Sequence, residues 1–308
     1  MKSLSDLQIF CTYIIKKYGR PDGVSEEEKA DEFRNIYLKG LPLNLRAIRA
    51  VAACCGIKLD GLDEMPQNLR GYHEVYGEER NIYFKNWDTV SGIQNTILHE
   101  IREIMETTFV EIDPTYKPLR DTTLHAAANR FATAVLLPKS SFNDRVYETG
   151  FDIIELAGIY SKSCSQVLLR LGEVLQGKLF LYAALYEPFP EYNAEWRVTY
   201  WTGSLNNEDP EANISGTSGF FPRKGRKVMP GSLVDMTIRE GKPYLVEYII
   251  LADDMEDDGL VAIARPQMIV GHPAKVALVA LLARNRKLLE PQIERIKPAV
   301  VKGFHGHL

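Results

Sequence analysis

Long apolar runs, patterned cysteines and a large excess of one charge are all missing from this 308-residue chain. No stretch approaches the ~18 apolar residues of a membrane span; the nearest candidate, Val276 to Ala283, is too short. The opening Met-Lys-Ser-Leu-Ser-Asp has no apolar run flanked by a cleavage site, so neither a signal peptide nor a membrane partner is expected. The cysteines, Cys11, Cys54, Cys55 and Cys164, form no C-x-x-C and no ribbon spacing. Two of them are adjacent, a poor arrangement for one bridge, which predicts reduced thiols and a cytoplasmic location. A net charge of -4 argues against a dominant nucleic-acid role and leaves nucleic-acid binding weak or absent. No internal repeat or low-complexity tract is visible.

What is present is ordinary globular material, 45% hydrophobic and 25% charged. Single cores stop growing near this length, so two domains are expected. Leu4, Leu7, Phe10, Cys11 and Ile14 share one face of a helix over residues 4–18, stopped by Gly19 and Pro21. Ser25 and Glu28 form a capping box at the next helix start. A helix over 43–55 ends at Gly56, and short strands follow at 57–59 and 80–84. A helix over 91–109 comes next, and one capped by Thr122 or Thr123 runs to Leu137. Asp152 to Tyr160, a turn at 161–163 and Cys164 to Leu175 resemble a helix-turn-helix, equally readable as a plainly packed helical pair. Its second helix carries Gln166 and Arg170 outward but no basic cluster. After Gly177 the texture turns to strands, at 178–186, 196–201, 244–251 and 260–264, with a closing helix over 274–289 and a break at Pro291. The loop over 206–219 is polar and reads as mobile.

Chemistry concentrates in Ile97-Leu98-His99-Glu100-Ile101-Arg102-Glu103 and in His125-Ala126-Ala127-Ala128-Asn129. The zinc-hydrolase motif H-E-x-x-H places two His at i and i+4 on one helical face, with the intervening Glu as general base. Here Glu103 stands where the second His would be. His99 and Glu103 still point the same way, and Glu100 is rotated by about 100°. His125 on the later helix completes a set of two His and one carboxylate, a known catalytic zinc set that leaves one position open. Two His and a carboxylate also hold Mn2+ or Fe2+. Asn129, four residues after His125, is placed to orient a ligand. The competing arrangement is a solvated face of His99, Glu100, Arg102, Glu103 and Glu106. His73-Glu74 reads as a loop pair without a ligand partner, although Tyr72 or His73 precedes the strand at the site and is a candidate electrophilic helper. His272, His305 and His307 are assigned no role.

These motifs resemble the ImmA/IrrE metallopeptidases. The match runs in order through Leu41-Pro42-Leu43, Gly56-Ile57, Asn68-Leu69-Arg70-Gly71, Asn81 to Phe84 and His99-Glu100, then Ala128-Asn129-Arg130-Phe131-Ala132 and Leu136-Leu137-Pro138. It covers roughly residues 35–176, and the remainder resembles, more weakly, the GAF-like sensory domain of radiation-response members. The resemblance implies an α+β fold: residues 1–176 as a mainly helical, zincin-like peptidase domain with a small sheet and the helix-turn-helix-like segment 152–176, then an α/β GAF-like domain over 177–308. The family carries His where Glu103 stands and Glu where His125 stands. A paired exchange that keeps the ligand types is expected to keep a metal. The expected ligands are therefore His99, Glu103 and His125 around Zn2+, with Glu100 taking a proton from a metal-activated water. The implied activity is an endopeptidase that cuts a cytoplasmic helix-turn-helix repressor in a stress or mobile-element response. The alternative is a metal-binding or DNA-binding regulator or sensor on a peptidase scaffold. A small-molecule effector in the C-terminal domain is a further possibility, with Tyr200, Trp201, Phe220 and Phe221 either lining a pocket or, the preferred reading, simply forming core.

Overall fold

The computed structural model describes residues 5–39, 43–189, 191, 194–204, 222–249 and 259–301. Leu4, Leu41 and Pro42, the 206–219 loop, Phe220, Phe221, Leu251, His305 and His307 lie outside them. The chain is α+β and forms two compact units, Met1–Lys139 and Ser140–Leu308.

The first unit begins with α1 (Asp6–Tyr18) and α2 (Glu26–Phe33), each opened by a capping box, Ser5 with Gln8 and Ser25 with Glu28. Each box satisfies two otherwise orphaned N–H donors. Leu7, Phe10, Cys11 and Ile14 of α1 are buried as their spacing predicts. Phe10, Phe33 and Phe131 meet edge to face, with successive ring centroids 5.6 and 5.5 Å apart. After α3 (Leu45–Cys54) come β1 (Ile57–Leu62), β2 (Gly71–Tyr76) and β3 (Glu79–Lys85), in the order β1-β3-β2. β1 runs parallel to β3, and β2 runs antiparallel to it. Then follow α4 (Val90–Ile112) and α5 (Asp121–Leu136), which pack on each other. Thr89 caps α4 through Gly92 N–H. The N-cap of α5 is Arg120 rather than Thr122 or Thr123, and its side chain makes no cap bond. Ile97, Leu98, Ile101 and Ile104 are fully buried.

The solvated-face arrangement of α4 does not hold. Arg102 is fully buried and bidentate on Glu26, with Nε to Oε2 at 2.7 Å and a terminal nitrogen to Oε1 at 2.9 Å. Its other terminal nitrogen donates to Glu106 at 2.9 Å. Glu106 in turn accepts from Tyr116 Oη and the Leu119 N–H, each at 2.7 Å. Charges this deep persist only when paired and hydrogen-bonded; here the Arg102–Glu106 pair lies within α4, and the remaining links tie α4 to α2 and to the loop before α5.

The second unit opens with α6 (Lys139–Thr149), α7 (Ile153–Tyr160) and α8 (Cys164–Leu175), of which α6 carried no sequence expectation. Its sheet has the order β5-β4-β8-β7-β6-β9, from β4 (Leu181–Phe189), β5 (Glu195–Ser204), β6 (Tyr244–Ile249), β7 (Leu260–Ile269), β8 (His272–Leu282) and β9 (Ala299–Val301). The closing helix expected over 274–289 is instead β8 as far as Leu282, followed by a 3-10 helix over Ala283–Leu289. The apolar run of β8 is a central strand buried on both faces, and such a run carries no period that separates strand from helix. Pro291 does not break a helix but sits in the first turn of α10 (Glu290–Ile296), where its missing N–H costs nothing. On one face, Tyr182, Tyr186, Val276, Leu278 and Ala262 pack with Leu233 and Val234 of α9 (Leu233–Glu240), and Trp201 joins this core. α8 packs against β4 and β5. Arg170, expected to face outward, is buried and pairs with Glu173 at 3.1 Å. The α7–α8 pair is therefore a packed helical pair of this unit. Its contacts place the unit boundary at 139/140, ahead of the change in sequence texture near Gly177.

Candidate metal centre

Three elements of the first unit converge on one cleft: α4, α5 and the edge strand β2. A cavity of about 350 Å³ is lined by Asn68, Arg70, Thr96, His99, Glu100 and His125, among others. Gly71 opens β2 beside it. A Cβ there would lie 2.6 Å from the Tyr83 carbonyl and 2.3 Å from Thr96, so the strand reaches α4 only with glycine at this point.

His99, Glu103 and His125 are brought together, with ligand atoms within 4.8 Å of one another. His99 Nε2 lies 3.1 Å from Glu103 Oε1, and His125 Nδ1 lies 3.6 Å from the same oxygen. The two imidazoles meet edge to face, centroids 4.5 Å apart. Donor atoms sharing one ion through bonds of ~2.0–2.2 Å stand roughly 3–4 Å apart, so the set fits a divalent metal. Asn129 Oδ1 accepts from His99 Nδ1 at 3.0 Å, which fixes the ring and leaves Nε2 to face Glu103. His99 is buried, whereas the His125 side chain is 68% exposed at the mouth of the cleft. Ala127 and Ala128 are buried between the helices, while Ala126 faces solvent.

The electrostatics favour a cation. Burial pushes the His99 pKa down, but the Glu103 hydrogen bond and the carboxylates of Glu100 and Glu103 outweigh it, and the net shift is upward. Burial pushes Glu103 up, and the His99 hydrogen bond with the charges of His99, His73 and His125 reverses this to a net lowering. The pair holds a proton where a metal ligand would otherwise be satisfied.

Glu100 is buried and points into the same cleft. Its Oε2 is 2.7 Å from His73 Nδ1, and Glu103 Oε2 is 3.6 Å from that nitrogen. This corrects the expectation of a loop pair at His73-Glu74: both lie on β2, paired across to Ile82 and Asn81 of β3. Of the two candidate helpers, His73 reaches the site, while Tyr72 stacks on Tyr83 at 4.8 Å. The alternation of a strand sends neighbours to opposite faces. The Gly77-Glu78 turn between two short runs is the sequence signal for this hairpin.

No known protein family matches the sequence, and no curated protein does. Among solved structures, the chain resembles a Mycobacterium tuberculosis transcriptional regulator at 12% identity, with a TM-score of 0.55 over 92% of this chain and 83% of that one. At that identity the likeness establishes a shared fold.

Proposed function

We propose that this protein is a metal-binding regulator of transcription on a peptidase-like scaffold. The observation that carries the reading is the convergence of His99 and His125, from two successive helices, on one carboxylate oxygen of Glu103. The shared fold with a protein named a transcriptional regulator supports the regulatory half. The packed α8 argues against regulation through a groove-reading helix at that pair, because its one expected basic contact, Arg170, is buried. Regulation is then exerted through the centre and a protein partner. Elemental analysis of purified protein tests the centre: about one equivalent of zinc or more, lost in His125→Ala, supports it. Protein that takes up no metal when zinc is supplied sinks it.

A second reading, a metallopeptidase that cleaves a helix-turn-helix repressor, is favoured by one further observation. Glu100 lies in the cleft beside the ligand set, in the place of the general base, and His73 orients it. A zinc ion held by His99, Glu103 and His125 would supply Lewis acidity and an activated water. Glu100 would accept the proton and return it to the leaving amine. Asn129 would keep His99 in one tautomer, and His73 would hold Glu100 in place. The similarity of these motifs to ImmA/IrrE peptidases points to a repressor as substrate. Incubation with candidate repressors tests the reading: cleavage that Glu100→Gln abolishes while metal content is kept supports it, and cleavage by Glu100→Gln overturns Glu100 as the base.

A further inference from the structure

The geometry points to a second metal position in the same cleft, formed by His73, Glu100 and Glu103, so that Glu103 bridges two ions. This rests on the metal reading of the first triad and extends it. The two oxygens of Glu103 face different partners. Oε1 faces His99 Nε2 and His125 Nδ1, at 3.1 and 3.6 Å. Oε2 faces His73 Nδ1, at 3.6 Å. Glu100 Oε2, 2.7 Å from His73 Nδ1, completes a second group whose ligand atoms also lie within 4.8 Å of one another. Five side chains thus present two three-ligand sets that share one carboxylate, the arrangement of a site whose ions stand about 3.5–4 Å apart.

The exchange at position 103 gains a reason from this. An imidazole offers one lone pair toward a metal once its other nitrogen is protonated, whereas a carboxylate has an oxygen for each of two ions. Glu103 is the residue that stands between His73 on β2 and His125 on α5. Ligation through Glu100 Oε2 leaves Oε1 of that carboxylate to accept a proton, so the role proposed for Glu100 is compatible with the second position. Three imidazoles and two carboxylates leave the doubly loaded site with a net charge of about +2, suited to divalent ions that retain hydroxide or to an anionic ligand.

The test is metal stoichiometry of the full chain, titrated with zinc and separately with manganese. The expected result is about two equivalents in the wild type, and about one in His73→Ala and in Glu103→His, which keeps a ligand for the first ion but removes the bridge. Manganese-loaded wild type should give an exchange-coupled electron paramagnetic resonance spectrum, and Glu103→His an uncoupled one. This comparison keeps the test decisive if His73→Ala fails to fold. One equivalent in the wild type, kept in His73→Ala and lost in His125→Ala, overturns the second position and leaves the single-metal reading standing. One equivalent lost in His73→Ala and kept in His125→Ala overturns the first triad and with it the bridged pair, and no metal at all overturns both positions.

Discussion

Asn129 Oδ1 accepts a 3.0 Å hydrogen bond from His99 Nδ1, joining α5 to α4 across 30 positions of sequence. The bond sets which nitrogen of His99 is free for a metal, because an acceptor at Nδ1 keeps the proton there.

Asn129→Ala should therefore weaken zinc binding about 10–100-fold, the usual effect of removing a ligand's orienting partner. Asn129 is exposed, so folding should be little affected. Calorimetric zinc titration beside a thermal melt checks both. Unchanged affinity would show that Asn129 does not orient the ring.

The His99–Glu103 pair predicts a pH window for the metal-free protein. His99 is raised in the folded state, so its contribution is complete below its ordinary value of 6.5 and fades as pH climbs through the raised value. Glu103 is lowered, so its contribution is complete above its ordinary value of 4.5 and fades as pH falls through the lowered one. The pair stabilises most between those two ordinary values. Zinc affinity should instead rise with pH, because the metal displaces the proton on His99. Denaturant midpoints of wild type and Glu103→Gln across pH separate the effects. A wild-type advantage that does not peak in the window would remove the pair as its cause.

Much of the geometry of this cleft was legible in the sequence. The i, i+4 spacing placed His99 and Glu103 on one face, and Asn129 four residues after His125 marked the orienting partner. The capping boxes at Ser5 and Ser25 specify helix starts through purely local bonds, and only the second was read. In the sequence His73 stands only as one of two candidate helpers, because the choice between it and Tyr72 depends on a hairpin register that local polarity does not reveal. Strand β8 was hidden for a related reason: Val276 to Leu282 is apolar at every position, so neither the period of a helix nor that of a strand is visible. Arg102 and Glu106 looked like surface charges because their partners lie outside the helix: Glu26 is 76 positions from Arg102, and Tyr116 stands in the loop after α4.

Arg102→Ala should cost about 3–5 kcal/mol, because it breaks the guanidinium's ion pairs with Glu26 and Glu106, leaving Glu26 to Lys29 and Glu106 to the neutral donors of Tyr116 and Leu119. Arg102→Lys should recover only part, since an ammonium cannot reproduce the bidentate contact with Glu26. Urea denaturation measures both. A loss under ~1 kcal/mol for Arg102→Ala would mean that the network is nearly neutral in sum.

Gly172 decides whether α8 is a packed helix or a free one. In an isolated helix, alanine would be favoured over glycine by roughly 0.5–1 kcal/mol. In this unit an added Cβ falls 1.7 Å from Thr202 Oγ1 and 2.9 Å from Thr202 Cβ, with the threonine itself held in β5. The clash should outweigh the propensity gain, so Gly172→Ala should be destabilising, with an overpacking cost of about 1–3 kcal/mol. Removing the hydroxyl and methyl should relieve part of it, so Gly172→Ala with Thr202→Ala should be more stable than the two single changes summed, a coupling of roughly 0.5–3 kcal/mol. Additive effects, or stabilisation by Gly172→Ala alone, would mean that α8 does not rest on β5. The helix-turn-helix-like pair would then regain a surface with which to engage DNA.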